Sequence, residues 1–336
     1  MIKKALLPLA ILAALPASAM ADEEVTIYGR ANVSVDFLDD GADYSKVNVS
    51  SNSSRLGFRA QRDFDGVTGI MQIEQEINYS DSGSNWASRD TFAGIRGDFG
   101  MVRLGKFDTP FKRARGPANL FGDQLGDMRN LTRAYDGRFD ERMPNTVHYQ
   151  TPSTNGFQFN LAYSVHEGND ADADGDDSAY STSLTWKEGN FDMALAYENF
   201  DSNRSRGGRD AFRFALGYTM GDATLVGFYQ TIDHDNDVFD SDVYGFGASY
   251  KPTDKTAIKG HYLIRSADID DGDSNMLAVG VEHRLGGQLR IYANYAMVSN
   301  DDNANLNPWS QARTTGTPGS FGDTASGLSL GLRFDF

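Results

Sequence analysis

From Val25 to Phe37 every second position is apolar or small: Val25, Ile27, Gly29, Ala31, Val33, Val35 and Phe37. Thr26, Tyr28, Arg30, Asn32, Ser34 and Asp36 lie between them. A period of two describes a strand with one apolar and one polar face. The last residues repeat it, with Leu328, Leu330, Leu332, Phe334 and Phe336 set against Ser329, Gly331, Arg333 and Asp335. Fourteen more segments of this kind are centred near residues 55, 73, 93, 104, 147, 161, 183, 195, 215, 226, 246, 261, 280 and 293. The total of sixteen is even, as an antiparallel barrel requires if its two ends are to meet on the same side.

The connections alternate in length. Short ones, such as Asp63–Gly66, Gly97–Gly100, Lys187–Asn190 and Leu285–Gln288, are interleaved with longer Asp/Asn/Ser-rich ones. The long set includes Glu167–Ser178, Asp201–Asp210, Thr231–Ser241, Ala267–Asn275 and Ser299–Thr324. Turns at one rim and loops at the other are the layout of an outer-membrane barrel, whereas a secreted β-sandwich has no reason to sort its loops by length. Tyr163, Tyr180, Trp186, Tyr197, Tyr218, Tyr229, Tyr244, Tyr250, Tyr292 and Tyr295 gather toward strand ends, where interfacial girdles sit.

Composition adds the compartment. Lys3 and Lys4 precede an apolar run from Ala5 to Leu15, followed by small-x-small sites at Ala17-Ser18-Ala19 and Ala19-Met20-Ala21. This is the pattern of a secretory signal, expected to be cleaved after Ala21 and to leave residues 22–336 as one barrel domain. Removing the two lysines takes the formal charge from -16 to -18. Such a surface excludes nucleic acid as a partner. With no cysteine there is neither a disulfide framework nor a thiolate metal site, and no cofactor is expected.

Three motifs carry a resemblance. Arg89-Asp90-Thr91-Phe92-Ala93-Gly94-Ile95, Ser54-Arg55-Leu56-Gly57-Phe58-Arg59 and Arg142-Met143-Pro144-Asn145-Thr146-Val147-His148-Tyr149 resemble strands of the trimeric general diffusion porins of Gram-negative outer membranes. The resemblance spans the chain. It implies a sixteen-stranded transmembrane barrel, a homotrimer in contact with outer-membrane lipid and lipopolysaccharide, and a third loop folded into the lumen. It also implies delivery by the barrel-assembly machinery, which reads the last strand and its terminal Phe336. The implied function is passive diffusion of small hydrophilic solutes.

The longest connection, Thr109 to Glu141, exceeds an ordinary hairpin loop and carries apolar anchors at Phe111, Leu120, Phe121, Leu125, Met128 and Leu131. It is expected to be ordered against the inner wall. Its carboxylates are Asp123, Asp127, Asp136 and Asp140, of which Asp123 and Asp127 are the chosen constriction acids. In the family, such acids face a row of wall arginines, and the field between them orients dipolar solutes. Parity places Arg55 and Arg142 inward, and Arg89 matches a third family position although its strand gives a mixed parity. A lipid-facing arginine at mid-depth costs roughly 2–4 kcal/mol, which favours the inward orientation. The plain alternative for each arginine is a salt bridge that only stabilises the wall. Arg59, Glu74, Glu76 and His148 also point inward by parity, as general lumen groups.

Two features stand apart. Asp170-Ala171-Asp172-Ala173-Asp174-Gly175 copies half of a calcium-binding loop, but Ser181 stands where that frame needs a bidentate Glu, so a solvated acidic loop is the expectation. An outer-membrane enzyme is the rival of another class. No recognisable Gly-x-Ser-x-Gly elbow supports it, since the literal match Gly327-Leu328-Ser329-Leu330-Gly331 lies inside the alternating last segment and not at a strand-to-helix turn. No acidic pair stands out, and no enzyme activity is expected. A solute-specific channel for sugars, phosphate or dicarboxylates is the nearer rival. The net charge leans slightly toward cations, whereas basic lumen residues suit anions.

Overall fold

The computed structural model describes residues 23–80, 87–165, 178–202, 204, 206–312 and 315–336. The signal segment, His166 and the Asp170–Gly175 loop lie outside the described residues. Seventeen strand segments follow one another: β1 (Glu23–Asp39), β2 (Ser45–Ser51), β3 (Arg55–Phe64), β4 (Val67–Glu76), β5 (Thr91–Gly97), β6 (Gly100–Asp108), β7 (Arg142–Gln150) and β8 (Phe157–Ser164). Then come β9 (Ala179–Glu188), β10 (Phe191–Phe200), β11 (Arg209–Met220), β12 (Ala223–His234), β13 (Ser241–Thr253), β14 (Thr256–Ala267), β15 (Ser274–Arg284), β16 (Leu289–Asn300) and β17 (Thr324–Asp335).

β2 and β3 are two halves of one strand. Both pair with β1, Ser51 opposite Val33 and Arg55 opposite Arg30, and between them Ser53 takes the left-handed φ of 55°. The sheet therefore has sixteen antiparallel strands, each paired with its neighbour in sequence. It closes where β1 meets β17, from Arg30↔Asp335 to Asp39↔Ser326. Closure removes the free edges that an open sheet would expose in a membrane.

The alternation read from the sequence becomes two faces. Ile27, Val49, Leu104 and Phe246 are 51%, 57%, 56% and 68% exposed, forming an outward apolar band. Arg213, His261 and Arg265 on the opposite parity are buried. Most of the aromatic girdle is outward, including Tyr163, Tyr180, Tyr229, Tyr244, Tyr250 and Tyr295. Tyr292 is an exception: it is buried, and its hydroxyl donates to Asn32 Oδ1 and accepts from Asn52 Nδ2. Alternation along β16 puts Tyr292 on the inner face with Asn294 and Ala296, where its partners surround the β2–β3 break.

The buried apolar clusters are not between two layers of sheet. They form where the 109–141 segment meets the inward side chains of β9 to β17. Phe111, Ala114 and Phe139 pack with Ala179, Ala194, Phe200 and Ile232. Met128 and Leu131 pack with Val243, Leu263, Met276 and Val298. Phe121 and Leu125 pack with Ala278, Ala296 and Trp309. At Gly126, φ is +81° and a Cβ would stand 2.6 Å from that of Ala278, so both conformation and space favour glycine.

Candidate functional site

The 109–141 segment begins with Thr109, whose Oγ1 accepts from Lys112 N and caps the short helix Pro110–Arg113. A second short helix, Arg129–Thr132, follows the turn that carries the chosen acids. Wall cations cover the aromatic rings of the segment. Arg213 lies 4.0 Å above Phe111, Lys259 4.4 Å above Phe121, Arg209 5.4 Å above Phe139 and Arg265 5.5 Å above Tyr135. These contacts combine ring burial with cation–π attraction, and they occupy four lumenal cations in holding the segment.

Opposite lies a cavity of about 510 Å³ between β1, β3–β6 and β17. Six arginines border it (Arg30, Arg55, Arg59, Arg89, Arg113 and Arg333) against four carboxylates, Glu74, Asp90, Asp108 and Asp335. Each carboxylate is shared. Glu74 serves Arg89 and, at 3.8 Å, Arg55, and it also accepts from Tyr28 Oη at 2.9 Å. Asp335 serves Arg30 at 2.7 Å, Arg333 at 2.8 Å and Arg290 at 3.4 Å. Arg59 donates through Nε to Gln72 Oε1 at 3.0 Å and stands 4.1 Å over the Tyr28 ring.

Arg55, Arg59, Glu74 and Arg89 thus come together on one wall. Arg89 precedes β5, which explains its mixed parity: alternation does not extend to it, and its place is set by Glu74 through both backbone and side chain. Arg142 is separated from the regular part of β7 by an irregularity, with Asn145 at φ 50° and a register shift opposite Gly105–Phe107. Asp90 at 2.6 Å and Asp108 at 2.7 Å hold its guanidinium. Glu76 sits opposite Arg55 in register, and its amide donates to Ser88 Oγ. His148 is buried in the wall, accepting from Arg103 Nε at Nδ1 and facing Asn160 at Nε2, and does not border the cavity.

The two chosen loop acids are bound within their own segment. Arg129 donates to Asp127 at 2.6 Å and to Asp123 at 2.8 Å, while Asp123 N donates to Asp127 Oδ2 at 2.7 Å. Asp127 is wholly buried, and Asp123 is partly exposed. Burial would raise the Asp123 pKa, but Arg129 first, then Arg55, Arg115 and Arg89, hold it well below the ordinary carboxylate range. Asp123 therefore feels the opposite wall. Asp127 feels Arg129 most, and burial works against its depressed pKa too.

Sequence reasoning left out Arg30, Arg333, Asp335, Asp90 and Asp108. Arg30, Arg333 and Asp335 already stood on the polar parity of the first and last strands, which was the available signal. The 301–323 connection was also missed as a partner of the loop. Pro308 O accepts from Gly126 N and from Asn130 Nδ2, both at 2.8 Å, and Gln311 N donates to Asn130 Oδ1 at 3.0 Å.

The profile of a family described as Gram-negative porin matches residues 9–303. An outer membrane porin protein of Bordetella pertussis is 26% identical over 88% of this chain and 85% of its own length. A major outer membrane protein P.IB of Neisseria sicca is 27% identical over 84% of this chain and 80% of its own. Among solved structures, an anion-selective porin from Comamonas acidovorans superposes with a TM-score of 0.81 at 23% identity, covering 94% of this chain and all of that one. The trimer form of OmpT from Vibrio cholerae gives 0.69 at 18%, again over 94% of this chain and all of that one. At these identities the two structures establish the fold.

Proposed function

This chain belongs to the Gram-negative porin family, and from that premise we propose that its channel favours anions. As a porin it resides in the outer membrane and forms a water-filled passage for small hydrophilic solutes and ions. The observation that supports anion preference is the ratio of six arginines to four shared carboxylates around the cavity. Arg30, Arg59 and Arg333, all partly exposed, make their side-chain hydrogen bonds through Nε, which leaves their terminal nitrogens toward a passing oxyanion. The negative net charge argues less strongly, because acids on the long loops are screened beyond ~8 Å at physiological salt. A neighbour in fold is described as anion-selective, in keeping with this reading.

Arg55, Arg89 and Arg142 on one side and Asp123 on the other would form the constriction, with the 109–141 segment narrowing the lumen. Asp127 would serve to fix Arg129, and Arg59, Glu74, Glu76 and His148 would tune the wall. On this reading the protein passes solutes and does no chemistry on them. The test is the reversal potential of the refolded channel under a salt gradient. Arg55→Gln with Arg89→Gln is expected to lower the anion-to-cation permeability ratio about sixteenfold, because each unit charge acting from about 10 Å through water changes anion and cation occupancy about twofold in opposite directions. A wild-type reversal potential on the cation side refutes the reading.

The assembly is proposed to be a homotrimer, in keeping with the trimer form of the OmpT neighbour. On the described outward faces of β1–β6 and β17, aliphatic residues such as Val33, Val35, Val49, Leu330 and Leu332 replace the tyrosines of the other side. That face suits contact between copies, and the tyrosine-bearing face suits lipid and lipopolysaccharide. Val49→Lys on the aliphatic face should weaken the trimer on native electrophoresis, whereas a lysine at Leu225 should not.

A further inference from the structure

Among the described residues no hydrogen bond or ion pair joins the 301–323 connection to the cavity arginines, yet it grips the part of the loop that carries the acids. Trp309 is wholly buried, packed in one cluster with Phe121 and Leu125, with its ring 6.4 Å from that of Tyr44. Its Nε1 donates to Thr317 O at 3.0 Å, and its backbone N donates to Asn307 Oδ1 at 3.0 Å, so both ends of the residue are fixed. The preceding carbonyl, Pro308 O, accepts from Gly126 N and Asn130 Nδ2. Arg133 Nη1 donates to Gln311 Oε1 at 3.1 Å, which continues the grip along the second short helix.

Between those fixed points, Gly126 and Asn130, lie Asp127 and Arg129, and Arg129 holds Asp123. Asp123 N also donates to Asp127 Oδ2 at 2.7 Å, and Asp123 adopts a left-handed φ of 60°, unusual for a residue with a side chain. We propose that Trp309 is a positioning residue for the constriction, wedging Gly126–Arg133 against the wall so that Arg129 presents Asp123 to Arg55 and Arg89. The inference rests on the reading of Asp123 and those arginines as facing sides of the constriction.

Four channels test it under the same salt gradient: wild type, Asp123→Asn, Trp309→Ala and the double variant. Asp123→Asn removes a carboxylate facing the basic wall and should raise the anion-to-cation permeability ratio about fourfold, since one unit charge from about 10 Å through water shifts anion and cation about twofold in opposite directions. Trp309→Ala should move the ratio in the same direction and add open-channel noise. In the Asp123→Asn background it should move the ratio no further, because the charge it positions is already gone. Trp309→Phe keeps the wedge and should restore the wild-type ratio. A wild-type ratio in a folded, heat-modifiable Trp309→Ala barrel overturns the proposal, as do shifts that add in the double variant. If Asp123→Asn itself leaves the ratio unmoved, the facing-sides reading fails and the proposal fails with it.

Discussion

Arg213 and Asp140 form an ion pair of 2.6 Å in which both side chains are wholly excluded from solvent. The same nitrogen, Nη1, donates to Phe111 O at 2.9 Å. One side chain of β11 therefore holds the 109–141 segment near its beginning and near its end. Gln230 Oε1 accepts from Arg213 Nε at 3.0 Å, and Gln230 Nε2 in turn donates to Thr132 O at 3.0 Å. The wall and loop make one hydrogen-bonded unit.

Arg213→Ala leaves the Asp140 carboxylate buried with Arg115, at 3.7 Å, as its remaining ion-pair partner among the described residues. Breaking a buried pair in this way costs about 3–5 kcal/mol. The expected result is a lower unfolding temperature of the refolded barrel, with bursts of current noise from an untethered loop. An unchanged unfolding temperature would contradict the structural weight given to the pair.

Phe121 fits against Gly280, where an added Cβ would come within 3.0 Å of its ring. Phe121→Ala empties that site and removes the ring beneath Lys259, at a cost of about 3–5 kcal/mol. Because the strands keep their own pairings, the loss should fall on loop docking. Limited proteolysis of the native barrel should then cut within residues 109–141, where the wild type resists. Resistance equal to that of the wild type would refute this.

Lys112 is buried beside Asp108 at 2.9 Å, and burial pulls its pKa down to about 8 although Asp108 opposes the shift. Its charge is therefore lost as pH rises through about 8. The anion preference should decline over that range, and Lys112→Gln should flatten the profile. The sign for stability is opposite: between about 8 and the ordinary lysine value of 10.5 the unfolded chain holds a proton that the folded one has released, so stability rises with pH. Reversal potentials measured between pH 7 and 9.5 check the first statement. A profile as steep in Lys112→Gln as in the wild type would assign the titration elsewhere.

Asp140 lies at the other end of the pH scale. Burial raises its pKa, but Arg213 and then Arg115 bring it down to about 2. The stability it confers is present above the unfolded carboxylate value and is lost as pH falls through about 2. Proteolytic protection of the loop should thus persist at pH 4. Loss of protection at pH 5 would place its controlling group elsewhere.

The strands were legible because alternation is a local property: each side chain's face follows from its neighbour's, without knowledge of the partner strand. The same logic placed Arg55 and Arg59 on the inner wall. It could not reach Arg89, which stands before β5, and it was crossed by an irregularity on the way to Arg142. Tyr292 was misjudged because it was grouped with the girdle by its place near a strand end; its parity, opposite to that of Ile291 and Tyr295, already set it on the inner face. The loop acids were recognised as a group, but Arg129, which opens a four-residue helix within the loop and has no strand parity, was not recognised as their partner. Loops carry no period, so the docking of Trp309 and Pro308 on the loop had no signature in sequence.

The seam between first and last strands sets an order on assembly. Gly29 N donates to Phe336 O at 2.9 Å, and Phe336 N donates to Gly29 O at 3.0 Å, so two residues about 300 positions apart make a rung of the closing ladder. β1 is the first described strand to be synthesised and its seam partner β17 the last of the described strands. Until β17 arrives, the seam edge of β1 stays open to any other strand that can pair with it, and the chain must be kept from pairing wrongly over that interval.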